Sequence, residues 1–368
     1  MKKTYWIFGV FIAVAVALAV SFSFPGQQKG TIKIGAILPL TGAAAPWGEY
    51  DKNGIDLAVK DINASGGIGG RQVEVSIEDD HTDPKQAVSA YDKLTSLDHV
   101  QGVIGGAWDF LAQPLIPLAL QNKLAFISPS NFYIAGGFEL NDQSFVMLND
   151  FDQTLAKLQP YLASSPIKKL AVVHYQSTFG NEVAKTLGSI MLQNGKQAVI
   201  DKPYTQIGNN DWKTLILGLK DSGVDGVFLD MVGNDPITFL KQAKELGFAP
   251  TVITYNGTLD SVATDADKQL IENVVVLNWQ VTTPEFAAMY QKEYGTAPAK
   301  SADKYFDAVY VLAQAIANTS GPSDVAAYIS QTSFKTPNSM VSFTKDHAAD
   351  TTAAEVQVVR GGILQRLQ

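Results

Sequence analysis

The residue types that could do covalent chemistry are few and badly spaced for it. The chain has four histidines, His81, His99, His174 and His347, and no cysteine. Neither an H-E-x-x-H pair nor a G-x-S-x-G turn occurs, so no zinc-protease helix or hydrolase elbow can be assembled locally. The missing thiols remove disulfides, thiolate metal sites and cysteine nucleophiles. Asp79 and Asp80 are neighbours in an alternating segment, so they point to opposite faces of a strand and cannot act on one substrate atom. Asp83 before Pro84 reads as a helix cap with proline at the first helical position. The spacing of Asp79, Asp80 and Asp83 matches no metal loop. These residues predict neither catalysis nor a metal or other cofactor.

What remains is recognition, by side chains at the ends of apolar strands. Trp47 follows the first such strand, and its wide ring suits the border of a small-molecule cleft. Trp108 and Asp109 follow a second strand. Ser128 and Ser130 flank Pro129 after a third, where hydroxyls and backbone N–H groups can hold a carbonyl or anionic oxygen. The same serines could instead cap a turn beside the proline. Phe179 is expected in the loop after Leu170 to His174. Asp230 and Val232 end the segment Val227 to Asp230, and Asn256 follows Tyr255.

The elements that must position these residues alternate regularly. Ile32, Ile34, Ala36 and Leu38 predict a strand. Ile55, Ala58, Val59 and Ile62 at helical spacing predict a helix that stops before Gly66-Gly67. Strand-type alternation at Val73, Val75 and Ile77 precedes the helix capped by Asp83. Val100 to Ile104, Leu111 to Gln121 and Leu124 to Ile127 read as strand, helix and strand. The pattern restarts with a helix at Thr154 to Ala163, then strands near Leu170, Ala198, Val227 and Val252 separated by helices. Two such runs predict an α/β fold of two doubly wound parallel-sheet lobes. Pro284 to Tyr294 and Ala302 to Asn318 are expected to pack as a helix pair on one lobe, with a late strand near Val356 to Val359. Ligands of such sheets collect beyond the carboxyl ends of the strands.

The gross numbers agree. A length of 368 residues favours two domains over one. A formal net charge of −8 with no basic tract argues against nucleic acid as a partner. Lys2 and Lys3 precede an apolar run from Tyr5 to Phe24 that is long enough for a signal peptide or for a membrane anchor. Either one places the body outside the cytoplasm.

Thr31 to Asn63, the GGIGG turn at Gly66 to Gly70, the EDD–DP segment around Asp79 to Pro84 and the Ser128-Pro129-Ser130-Asn131 loop resemble type I periplasmic binding proteins of the branched-chain amino acid class. The resemblance implies two lobes joined by hinge strands: residues 31–149 with 279–335, and 150–278 with 336–368, after a signal or anchor and linker at 1–30. It implies a monomer that closes on an amino acid or similar small polar solute and hands it to an ABC transporter permease. It places ligand contacts at Trp47, Trp108, Asp109, Ser128, Ser130, Asn131, Phe179, Asp230, Val232 and Asn256. Two positions depart from the family's pattern. Asn256 stands where relatives carry a glutamate for the ammonium, and Asp109 stands where they carry a hydroxyl near the carboxylate. A buried ammonium without a countercharge is costly, and a carboxylate beside another is repelled. A neutral or cationic polar solute therefore competes with a reoriented amino acid. A sensor subunit for an amide or other small solute is the alternative to transport.

Overall fold

The structure is a computed structural model that describes residues 30–134, 137–148, 151–208, 210–231, 233–257, 262, 264–279, 282–299, 301–350 and 354–367. The expected signal or anchor and the Val232 site both lie outside the described residues. Strands β1 (Ile32–Leu38), β2 (Val73–Asp79), β3 (Val103–Gly105), β4 (Phe126–Ser128) and β5 (Ser144–Val146) form a parallel sheet in the order β2-β1-β3-β4-β5. Strands β6 (Leu170–Tyr175), β7 (Ile200–Tyr204), β8 (Gly226–Asp230), β9 (Thr251–Tyr255) and β10 (Val275–Asn278) form a second parallel set. A hairpin of β11 (Phe334–Lys335) and β12 (Met340–Val341) stands apart. The antiparallel pair β13 (Glu355–Arg360) and β14 (Ile363–Arg366) extends the second sheet, giving β14-β13-β10-β9-β8-β6-β7.

Helices cover both faces of each sheet, which is why the central strands β1, β6 and β8 are almost wholly buried, while the edge strands β2, β7 and β14 keep exposed polar residues. Every β1 residue except Lys33 is buried. The helices Ala45–Ala64 and Ala302–Ala317 cover one face of the first sheet, where Ile34, Ile55, Tyr305 and Val309 share one core. On the opposite face Tyr91 and Leu94 join a cluster that continues to Val172 and Leu187 of the second lobe. The outer face of the second sheet packs Val173, Leu229 and Phe239. The chain passes between the sheets three times: from Val146 to Phe151, from Asn278 to Pro284 and from Ala349 to Glu355.

Several expectations need correction in detail. The helix expected over Leu111 to Gln121 is two pieces, Asp109–Ala112 and Leu115–Asn122, because Pro114 has no N–H to continue the first. The helix expected from Thr154 is broken into Phe151–Leu155, a 3₁₀ turn and Gln159–Ser164, with Pro160 in the first turn of the last piece. Phe179 is not in a loop: it is the second residue of helix Thr178–Gln193, which Ser177 caps by accepting from Gly180 N. Asp83 caps as expected, accepting from Lys85 N and Gln86 N. Gly67 has φ +83°, and a Cβ there would lie 2.1 Å from the Arg71 carbonyl, so the turn needs glycine.

Candidate functional site

The loops beyond the carboxyl ends of β1, β3, β4, β6, β8, β9 and β10 meet around one cavity with about 700 Å³ of empty space, its mouth included. The first lobe lines it with Trp47, Asp51, Ala107, Trp108, Asp109, Ser130, Asn131 and Phe132. The second lobe contributes Phe179, Met231, Tyr255 and Gly257, Trp279 stands in the link after β10, and Ser301 joins them from the start of helix Ala302–Ala317. Six of the expected residues, Trp47, Trp108, Asp109, Ser130, Asn131 and Phe179, are thus brought together. Ser128, Asp230 and Asn256 are not among the lining residues.

The reasons for those three absences are local. Ser128 is fully buried and its hydroxyl donates to the Gly106 carbonyl at 2.8 Å. The Asn131 amide donates to the same carbonyl at 2.7 Å and to the Ser128 hydroxyl at 2.7 Å. These bonds tie the loop after β4 to the loop after β3, so the hydroxyl and amide expected to face a ligand hold the wall of the cavity instead. Asn256 accepts from Trp279 N at 3.3 Å, linking the ends of β9 and β10 and setting the position of the indole. Asp230 sits behind Tyr255 and accepts that residue's hydroxyl hydrogen.

Asp109 is the main polar feature of the cavity wall. Only 5% of it is exposed, and its Oδ2 accepts from Phe179 N at 2.7 Å. That bond runs from the first lobe to the N-terminal turn of helix Thr178–Gln193 in the second, where the helix dipole favours a carboxylate. Burial holds the Asp109 carboxyl above the usual carboxylate range, against the pull of the Phe179 N–H and the Ser177 hydroxyl. Two further contacts cross beside it: Gln113 Nε2 donates to Thr178 Oγ1 at 2.7 Å, and Phe110 meets Tyr175 with ring centroids 5.1 Å apart. The lobes therefore touch along one edge of the cavity.

Behind this contact lies a buried polar group. Burial pushes the Asp230 carboxyl up to about 7, and Asp109 adds to the rise while Tyr255 and His174 oppose it. The Tyr255 hydroxyl is raised well above its ordinary value by burial and by Asp230. His174 is buried, with Nε2 2.7 Å from Asp201 and Nδ1 2.8 Å from the Tyr175 carbonyl. No histidine lines the cavity, and the described residues hold no group of three or more metal-ligating side chains. Asp79 accepts from Leu40 N, Thr41 N and His81 N, which fixes the turn after β1.

The lining residues that the sequence reading passed over are mostly apolar: Phe132, Met231, Tyr255 and Trp279. Tyr255 ends a strand that was placed, so its position was within reach. Trp279 follows β10, a four-residue strand with too short a pattern to detect. Asp51 lies one helical turn beyond Trp47, and that spacing alone would have put both on one face.

A family profile described as "Periplasmic binding protein" matches residues 31–362. The chain is 28% identical over 313 residues to Leu/Ile/Val-binding protein homolog 7 of Brucella suis, covering 78% of this chain and 76% of that protein. It is 28% identical over 364 residues to the leucine-, isoleucine-, valine-, threonine-, and alanine-binding protein of Pseudomonas aeruginosa, covering 93% of each. Among solved structures, the branched-chain amino acid transporter substrate binding protein LivJ of Streptococcus pneumoniae, in complex with isoleucine, superposes with a TM-score of 0.79 at 21% identity, over 91% of this chain and 98% of that one. A solute binding protein from R. palustris in complex with benzoate gives 0.78 at 18% identity, over 92% and 96%. The match across nearly the whole body shows that the chain belongs to the periplasmic binding protein family, whose place is outside the cytoplasm and whose work is solute binding.

Proposed function

We propose that this chain is the solute-capturing subunit of an ABC importer, binding an amino acid-like small polar solute by closure of its lobes and passing it unchanged to a membrane permease. The observation that carries this is a single cavity walled by strand-end loops of both sheets, so that a bound solute touches both lobes at once. The binding set is Trp47, Trp108, Asp109, Ser130, Asn131 and Phe179, with Tyr255 and Trp279. Ser128, Asp230 and Asn256 serve from behind the wall. The relatives named for branched-chain amino acids support the solute class, and the benzoate complex shows that neighbours of this fold take other small molecules.

The lobes divide as 31–149 with 279–349, and 150–278 with β13 and β14; the boundary expected at 335 moves because Val341 and Ala349 pack in the first-lobe core and Ala348 bridges to Val146. The shared core of helix Ala302–Ala317 with β1 supports the first grouping, and β13 with β14 in the second sheet supports the second. The protein works as a monomer. Lys2, Lys3 and the apolar run after them support export, and the first residue of the mature chain, read by mass spectrometry, distinguishes a cleaved signal from a retained anchor.

A thermal-shift panel of amino acids, amides, aromatic acids and amines tests the reading. A solute at a hundred times its Kd adds about 2.7 kcal/mol of apparent stability. At least one class is expected to raise Tm by several degrees, and a blank across the panel overturns solute capture.

A further inference from the structure

The rings and charges around the cavity bear on what the solute is. Trp47 and Trp108 meet edge-on with centroids 5.9 Å apart on the first-lobe side. Phe132 meets Trp279 at 5.0 Å and 86°, and Tyr255 lies 4.9 Å from Trp279. Aromatic faces, whose π-systems are negative, therefore wall the cavity from both lobes. Tyr255 donates its hydroxyl hydrogen to Asp230, which drives electron density onto the phenol ring and strengthens its attraction for a cation.

The polar groups point the same way. Asp109 opens on the cavity while nine-tenths buried, and no lysine, arginine or histidine occurs among the described lining residues. Both N–H groups of the Asn131 amide are committed to Gly106 and Ser128, and the Ser128 proton is committed to Gly106. These two donors are thus turned into the wall, which leaves the described lining without a charged donor. A solute carboxylate here would meet Asp109 in a poorly solvated space, where like charges repel strongly. An ammonium would meet the same carboxylate and the ring faces. The Asp109 carboxyl already accepts from the Phe179 N–H, the Ser177 hydroxyl and the Phe110 N–H, so it meets a solute cation through its charge rather than through an empty acceptor position, as a quaternary ammonium requires.

Building on the solute-capture reading above, we infer that the preferred solute is an organic cation, an amine or quaternary ammonium on a small apolar body, held by Asp109 and the aromatic faces rather than through a carboxylate. Calorimetric titration of the full-length chain with benzylamine, benzyl alcohol and benzoate varies charge at nearly constant size, and leucine supplies the zwitterion. Benzylamine is expected to bind at least tenfold more tightly than benzyl alcohol, with benzoate weakest. Asp109→Asn closes the gap between benzylamine and benzyl alcohol. Should that variant lose its cooperative melting transition, Trp279→Ala gives the independent reading, because losing a ring face weakens benzylamine more than benzyl alcohol. Leucine or benzoate binding more tightly than benzylamine overturns the cation assignment and leaves solute capture standing. A blank with all four and across the thermal-shift panel removes both.

Discussion

At Asp230 the cost of a buried carboxylate is visible as a pH dependence. Burial pushes its carboxyl up to about 7 in the fold, against an ordinary carboxylate value of 3.8 in the open chain. Between those values the folded state holds a proton that the unfolded state has released, so stability falls as pH rises through that window and levels off above about 7. The slope contributed by this one group is at most about 1.4 kcal/mol per pH unit. Asp230→Asn can still accept the Tyr255 hydroxyl and has no charge to bury. Urea unfolding is therefore expected to show the variant gaining on the parent protein from pH 4 to pH 7, by a few kcal/mol in all. A constant difference across that range would contradict the assignment. Individual residues were only partly legible in the sequence. Trp47, Trp108 and Asp109 were found because they follow strands that could be seen. Ser128 and Asn131 were placed beside the cavity, but their bonds to the Gly106 carbonyl were not foreseen, since nothing in a sequence tells which carbonyl a side chain will reach. Asp51 was within reach, since it follows Trp47 by one turn of the same helix and shares its face.

At the scale of elements, the first lobe depends on how closely its two long helices approach. A Cβ on Gly54 would lie 2.1 Å from the Ala302 carbonyl, and backbone stands on both sides of the contact. Alanine gains about 1 kcal/mol in helix propensity. Overpacking against an immovable neighbour costs about 1–3 kcal/mol, and here the whole helix must shift. Gly54→Ala is accordingly expected to lower the urea midpoint of the protein, with a net loss on the order of 1 kcal/mol or more; an unchanged or raised midpoint would mean that the helices are not held at this distance. Elements with long periodic patterns, such as Ala45–Ala64 and Ala302–Ala317, were evident before the structure was known. The short ones, β5, β10 and β14, were not, because three or four residues carry too little pattern to separate a strand from a turn. Phe179 shows the consequence: Ser177 caps a helix that starts at Thr178, which carries the ring out of the expected loop into the first turn and its N–H onto Asp109.

Across the whole molecule, the passages between the sheets and the cavity lined from both of them describe a body that can close on a solute. The two-lobed α/β architecture was legible because alternating strands and helices leave few topologies open. The character of the cavity was not, since six rings from six separate segments converge only in three dimensions. Asp109 with Phe179 N, and Gln113 with Thr178, are contacts of the closed arrangement and must break when the lobes part. Closure is favoured by a solute only to the extent that the solute prefers the closed form. Small-angle X-ray scattering on the chain, with and without a saturating solute identified by the thermal-shift panel, tests this most directly. The account predicts a smaller radius of gyration and a shorter maximum dimension in the bound state. Scattering profiles that superpose, with calorimetry showing the sites filled, would contradict capture by closure of the lobes.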